Sequence, residues 1–157
     1  IRGYNPTDII QLSSPKKIFC TVLHPQFEIK TSEARRLIKK KFPLKDVITQ
    51  TGNAAGLVAG LMKSDYNLIK RSMHDLIAEP ARATLIPGYY EIKESAMNAG
   101  SIGCSISGSG PAIFAFSMSL EDAEKIGKAM KQASSKYVKR NNVYVSSINT
   151  VGPKVIG

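Results

Sequence analysis

A chain of 157 residues, 43% hydrophobic and 22% charged, has the length for one domain with its own core, taken here as residues 1–157, and would be cramped as two. That balance excludes disordered, collagen-like and coiled-coil architectures. Lys+Arg 22 against Asp+Glu 12 leaves a net charge of +10, a field that favours anionic partners such as nucleotides, phosphorylated metabolites, nucleic acids or acidic membranes without choosing among them.

The first twelve residues predict a strand that enters a turn at Asn5-Pro6 and resumes over residues 9–12, followed by a Ser13-Ser14-Pro15 loop. Residues 18–23, β-branched and apolar, predict a central strand stopped by His24-Pro25. Thr31 or Ser32 is expected to cap a helix with Glu33 in its first turn, basic residues toward its end, and Pro43 as its stop. Residues 46–63 predict a second helix with an apolar stripe of Val47, Thr51, Ala54 or Ala55, Val58, and Leu61 or Met62. Gly52, Gly56 and Gly60 recur along it at every fourth position. Each costs about 1 kcal/mol relative to Ala, so the ridge implies a neighbouring backbone at close range. A third helix is expected after Ser64-Asp65, carrying Leu68, Ile69, Met73, Leu76 and Ile77 until Pro80 interrupts, and a fourth runs from Pro87-Gly88 to Gly100.

The apolar period then drops from 3.6 to 2. Ile102, Cys104 and Ile106 alternate, as do Ala112, Phe114 and Phe116, with Gly108-Ser109-Gly110-Pro111 between them, which predicts a hairpin. Ser119 caps a last helix with Asp122 at its third position and Ala123, Ile126, Met130 and Ala133 on the inner face; Val143 and Val145 mark a final strand. With the helical insertion treated as one unit, the order is βαββαβ. The expected fold is α+β: an elaborated ferredoxin-like antiparallel sheet, helices mainly on one face, and extra helices inserted after the first core strand.

Cys20 and Cys104 sit in alternating apolar stretches with no metal-type spacing and predict buried free thiols in a reducing compartment. The longest mainly apolar run, residues 54–62, is too short for a bilayer, and residues 1–6 are no signal peptide. A cytoplasmic protein with no membrane partner is the expectation. The chain begins with Ile rather than Met, and the expectation is a processed chain or a piece of something longer.

Three segments carry candidate chemistry. Residues 103–111, Gly-Cys-Ser-Ile-Ser-Gly-Ser-Gly-Pro, can turn backbone amides and serine hydroxyls toward an anion, although a hairpin turn needing positive φ explains the same glycines. Asp75-Leu76-Ile77-Ala78-Glu79-Pro80-Ala81-Arg82 offers a planar guanidinium suited to a carboxylate or phosphate, with Glu79 placed to orient it; alone, such an arginine is usually surface charge. Thr31 and Arg35, four apart on one helix face, could grip a small anion together, or could belong to a solvated amphipathic helix. His24 and His74 lack a second ligand or a nucleophile and are expected to be structural.

Taken together, Thr-x-x-x-Arg at 31–35, Glu-Pro-Ala-Arg at 79–82 with Leu-Ile-Pro-Gly at 85–88, and Ile-Ser-Gly-Ser-Gly-Pro at 106–111 resemble the C-terminal half of the homoserine kinases, in the GHMP small-molecule kinase superfamily. The Ser-Gly-Ser-Gly-Pro loop is common to the superfamily, and the segment around Arg82 is the part that resembles homoserine kinases. The resemblance implies transfer of the ATP γ-phosphoryl group to the hydroxyl of L-homoserine, a step of threonine biosynthesis, in a cytoplasmic enzyme that is a homodimer. It further implies that Arg35 and Arg82 hold the substrate carboxylate, that Thr31 lines the pocket, and that Ser107, Gly108, Ser109 and Gly110 flank the phosphates. Where the family often continues Arg-x-x-Leu-Pro, this chain has Arg35-Arg36-Leu37-Ile38-Lys39, so Arg36 is the alternative to Arg35. No residue here is expected to be a catalytic base or a metal ligand: ATP and Mg²⁺ would be bound mainly by a preceding domain, whose Pro-x-x-x-Gly-x-x-Ser-Ser loop this chain lacks, and the isolated fragment would be inactive. Other expectations are another GHMP kinase acting on an alcohol without a carboxylate, or a ferredoxin-like nucleic-acid binder using Phe114 and Phe116. The second lacks the basic residues such a strand normally carries.

Overall fold

The computed structural model describes residues 3–10, 12, 15 and 17–149. Two short strands, β1 (Gly3–Tyr4) and β2 (Thr7–Asp8), pair antiparallel around the Asn5-Pro6 turn. The expected turn at Asn5-Pro6 is present, but the strand on each side of it is only two residues long, and residues 9, 10 and 12 are irregular; residues 1, 2 and 11 of that strand and Ser13 and Ser14 of the expected loop lie outside the described set. Ile9 and Ile10 are exposed, so no sheet partner rewards their β-propensity.

The main sheet contains β3 (Phe19–Pro25), β4 (Gly103–Ile106), β5 (Ile113–Ser117) and β6 (Asn141–Ser147), in the order β4-β5-β3-β6 with every neighbour antiparallel. That is the ferredoxin-like order the βαββαβ pattern predicts. Between β3 and β4 come α1 (Thr31–Arg36), α2 (Leu44–Lys63), α3 (Tyr66–Ser72), α4 (Glu79–Arg82), a 3₁₀ turn (Ala83–Leu85) and α5 (Tyr89–Asn98). The last helix, α6 (Leu120–Ser134), connects β5 to β6.

One sheet face supplies Leu23, Cys104, Ile113 and Ala115 to a core closed by Tyr89, Ile92 and Ala96 of α5 and Ile126, Met130 and Ala133 of α6. Helix α6 lies close on β3 and β6: a Cβ at Gly127 would come within 2.8 Å of Val143. Thr21, buried on that face, donates to the Ala123 carbonyl at 2.8 Å, so its hydroxyl does not go unpaired. Ser119 caps α6 as its spacing predicts, accepting from the Asp122 amide at 3.0 Å. Cys20, Val22, Phe114 and Phe116 are half-buried, the two rings 5.1 Å apart. They alternate with the core residues of β3 and β5 and so occupy the other face. Both cysteines are free. Cys104 is fully buried as expected, whereas Cys20 is only partly so.

The helical insertion departs from expectation in three places. Helix α1 ends at Arg36, well before Pro43, and its cap position is Lys30 with no side-chain cap, so neither Thr31 nor Ser32 serves. Helix α3 stops at Ser72, which leaves Met73, Leu76 and Ile77 in a loop. Side chains fix that loop: Gln50 accepts from the Leu76 amide (2.9 Å), Asn53 donates to the His74 carbonyl (2.8 Å), and Asp75 accepts from the Ile77 and Ala78 amides (2.8 and 2.9 Å). Local side-chain bonding of this kind competes directly with helix continuation. Finally, most of the predicted stripe of α2 faces solvent: Val47, Thr51, Ala54, Ala55, Val58 and Met62 are exposed, while Leu61 is half-buried. The glycine ridge packs instead, with Gly56 against Ser72 and Gly60 against Ile69 of α3; Gly52 meets nothing. Among the described residues, no helix is long and apolar enough to cross a membrane.

Candidate functional site

The loop between β4 and β5 is shaped by its glycines. Gly108 (φ 58°) and Gly110 (φ 83°) occupy the left-handed region, where a side chain would strain the backbone. The Ser107 amide donates to the Ala112 carbonyl (2.8 Å) and the Gly110 amide to the Ser107 carbonyl (3.0 Å). Those two amides are taken up by the turn.

Arg82 reaches this tip. Its Nη1 donates to the Gly108 carbonyl at 2.6 Å, joining two motifs that are 26 residues apart. Its Nε is buried and has no partner. A guanidinium carries five donors, so one anchoring bond leaves others for a bound carboxylate or phosphate. The reach follows from local structure. Asp75 turns the chain into α4 by accepting successive amides, including that of Glu79 at 3.2 Å, and Pro80 opens the helix. One short helical turn later Arg82 projects toward the loop.

Glu79 does not orient Arg82, contrary to expectation. Its carboxylate is held by the Lys93 ammonium of α5, and Ser105 of β4 donates to it at 3.0 Å. Glu79 is 6% exposed, so leaving its charge unpaired would be costly, and Lys93 is the nearest cation that meets it. The Tyr89 hydroxyl is buried beside this group without a hydrogen bond of good geometry; burial and then the Glu79 charge push it well above the ordinary tyrosine pKa. Glu79 thus fixes α4 to α5 and β4, and with it the base from which Arg82 extends.

Thr31, at the start of α1, places its Oγ1 3.4 Å from the Ser109 Oγ, a long contact for two hydroxyls that still sets α1 beside the tip. Arg35 lies one turn further on the Thr31 side of α1, and both Arg35 and Arg36 are exposed. A cleft of about 520 Å³ nearby is walled by Leu37, Phe42, Pro43, Pro80 and Ala81, and neither Arg35, Arg82, Thr31 nor the 107–110 loop lines it. Of the residues expected at the site, Thr31 and Arg82 each reach the 107–110 loop, whereas neither Arg35 nor Arg36 makes a hydrogen bond to it. Asp75 opens the same candidate segment in the sequence, but its part in turning the chain into α4 emerges only in the structure. Among the described residues, no group of three or more His, Cys, Asp or Glu could hold a metal ion. His24 contacts Gln26, 3.1 Å from its Nδ1.

The profile of the family described as GHMP kinases C terminal matches residues 57–136. The chain is 48% identical over 158 residues to the homoserine kinase of Chlorobium phaeobacteroides, covering 99% of this chain and 49% of that protein. It superposes on the crystal structure of homoserine kinase from Cytophaga hutchinsonii with a TM-score of 0.93 at 49% identity, covering 99% of this chain and 49% of that one. A phosphomevalonate kinase from Streptococcus pneumoniae, 15% identical, shares the fold with a TM-score of 0.69 over 90% of this chain and 43% of that one. The chain spans about half the length of the curated relatives it matches.

Proposed function

Because this chain belongs to the C-terminal family of the GHMP kinases, we propose that it forms the C-terminal half of a homoserine kinase and supplies the amino-acid pocket. The observation that carries this reading is the bond from Arg82 to Gly108, which joins the arginine segment to the glycine loop. ATP bound with Mg²⁺, mainly by a nucleotide-binding half outside this chain, supplies the phosphoryl group. The residues here bind and position. Arg82, steadied by Gly108, offers its free donors to the substrate carboxylate, and Arg35 extends the positive wall along α1. Thr31 lines the pocket. The Gly108 and Ser109 amides face the developing phosphate charge, where fixed dipoles are most effective. Phosphoryl transfer needs positioning and charge stabilisation more than covalent chemistry, so such a half-site can contribute without holding a base.

A different GHMP kinase is less well supported, since the phosphomevalonate kinase likeness concerns the fold alone. The test is a chimera in which this chain replaces the matching half of the Cytophaga hutchinsonii homoserine kinase. The chimera is expected to phosphorylate L-homoserine, and the 157-residue chain alone is expected to show no turnover. A folded chimera that ignores homoserine, or an active isolated chain, would contradict the proposal.

A further inference from the structure

A second cavity, of about 470 Å³, opens at the β4 edge of the molecule, lined by α3, the turn after it, α5 and the start of β4. Its volume falls within the range of small-molecule sites. The walls separate by chemistry. Met73, Met97 and Cys104 form an apolar lining, while Lys70, Arg71 and His74 come from one short stretch of chain around the end of α3, and Lys93 enters from α5. Lys70 and Arg71 make no ion pair among the described residues. Lys93 is fixed in place: its ammonium is bonded to the buried Glu79 carboxylate and lies 6.0 Å from the centre of the Tyr89 ring. The cavity floor is also held, because Gly103 accommodates Met73 at a distance no side chain could tolerate, its would-be Cβ lying 2.3 Å from the Met73 sulfur.

This cavity is separate from the glycine loop. Gly103 and Gly108 are five positions apart on an extended strand and its turn, which at about 3.3 Å per residue puts them on the order of 15 Å apart. Nothing in the proposed phosphoryl transfer uses Lys70, Arg71 or His74.

We infer that the β4-edge cavity is a binding site for a small organic phosphate monoester, with its apolar body against Met73, Met97 and Cys104 and its phosphate toward Lys70 and Arg71. Two cations with no ion-pair partner among the described residues, both lining one cavity, favour a dianion, and Arg adds a planar fork that matches phosphate oxygens. An apolar lining of this extent adds affinity for an attached hydrocarbon that inorganic phosphate cannot gain.

The test is an amide NMR titration of the isotope-labelled chain with phenyl phosphate, compared with inorganic phosphate and with phenol. Phenyl phosphate is expected to shift the amides of residues 70–74, 103 and 104 saturably, and to bind at least about tenfold more tightly than either comparison compound. The double variant K70Q/R71Q, altered only at exposed side chains, is expected to keep its dispersed spectrum and to lose at least about tenfold in affinity. Shifts confined to residues 108–112, equal affinity for inorganic phosphate, unchanged binding by K70Q/R71Q, or no saturable response would each overturn the assignment.

Discussion

Arg82 and Glu79 stand in one four-residue helix and do different work. Both were visible as a charged pair flanking Pro80, but sequence neighbours in a helix turn do not have to partner each other. Burial decides: Glu79 is enclosed and must meet a cation, which α5 supplies as Lys93, whereas Arg82 keeps one face open and takes a carbonyl. The partner of Glu79 could not be read from the chain, because Lys93 becomes its neighbour only once α5 packs. Cys104, by contrast, was legible from its alternating strand. Burial, the dominant cause, pushes its thiol up to about 12, with Lys93 opposing and Glu79 adding to the rise. The folded state therefore favours the protonated thiol. That contribution to stability is complete below the ordinary cysteine pKa and fades as pH rises from about 9 toward 12. At pH 8 the raised pKa leaves little thiolate at Cys104, so it should react with a thiol reagent far more slowly in the native chain than in denaturant. Native labelling as rapid as that of a small thiol would contradict the raised pKa.

At the scale of the element, the glycine ridge of α2 shows what periodicity can and cannot reveal. Its spacing pointed to a close neighbour, and α3 is that neighbour for Gly56 and Gly60. The apolar stripe was legible as a stripe but its direction was not, because the same helix offers a small-residue face that lets another backbone approach. The three glycines separate experimentally. Gly52 has open space around it, so Gly52→Ala should raise stability by about 1 kcal/mol through helix propensity. At Gly60 a Cβ would sit 3.0 Å from the Ile69 backbone nitrogen, which cannot swing aside, so Gly60→Ala should lower stability despite the same propensity gain. Denaturant unfolding of both variants checks this; a stabilised Gly60→Ala would mean that α3 is not seated on α2. The early end of α3 was hidden for a related reason. The loop after it is held by distant residues, Gln50 and Asn53, rather than by a proline or glycine in place.

For the whole molecule, the sheet order followed from the alternation of strand and helix periods, since a βαββαβ chain has few ways to bury one sheet face. The net charge of +10 gave the sign of the ligand and no location. Location came from folding, which gathers a threonine of α1, an arginine of α4 and the β4–β5 loop at one end of the sheet. The central claim is that Arg82 at that place recognises a carboxylate, and substrate comparison isolates it. In the chimera, kcat/KM would be measured for L-homoserine and for aminopropanol, the same molecule without its carboxylate, with Arg82 intact and in Arg82→Ala. Loss of a charge-assisted clamp of about 2–4 kcal/mol predicts a fall of about 30- to 1,000-fold for homoserine and almost none for aminopropanol. An Arg82→Ala enzyme that loses the same factor on both substrates, or on neither, would contradict the account.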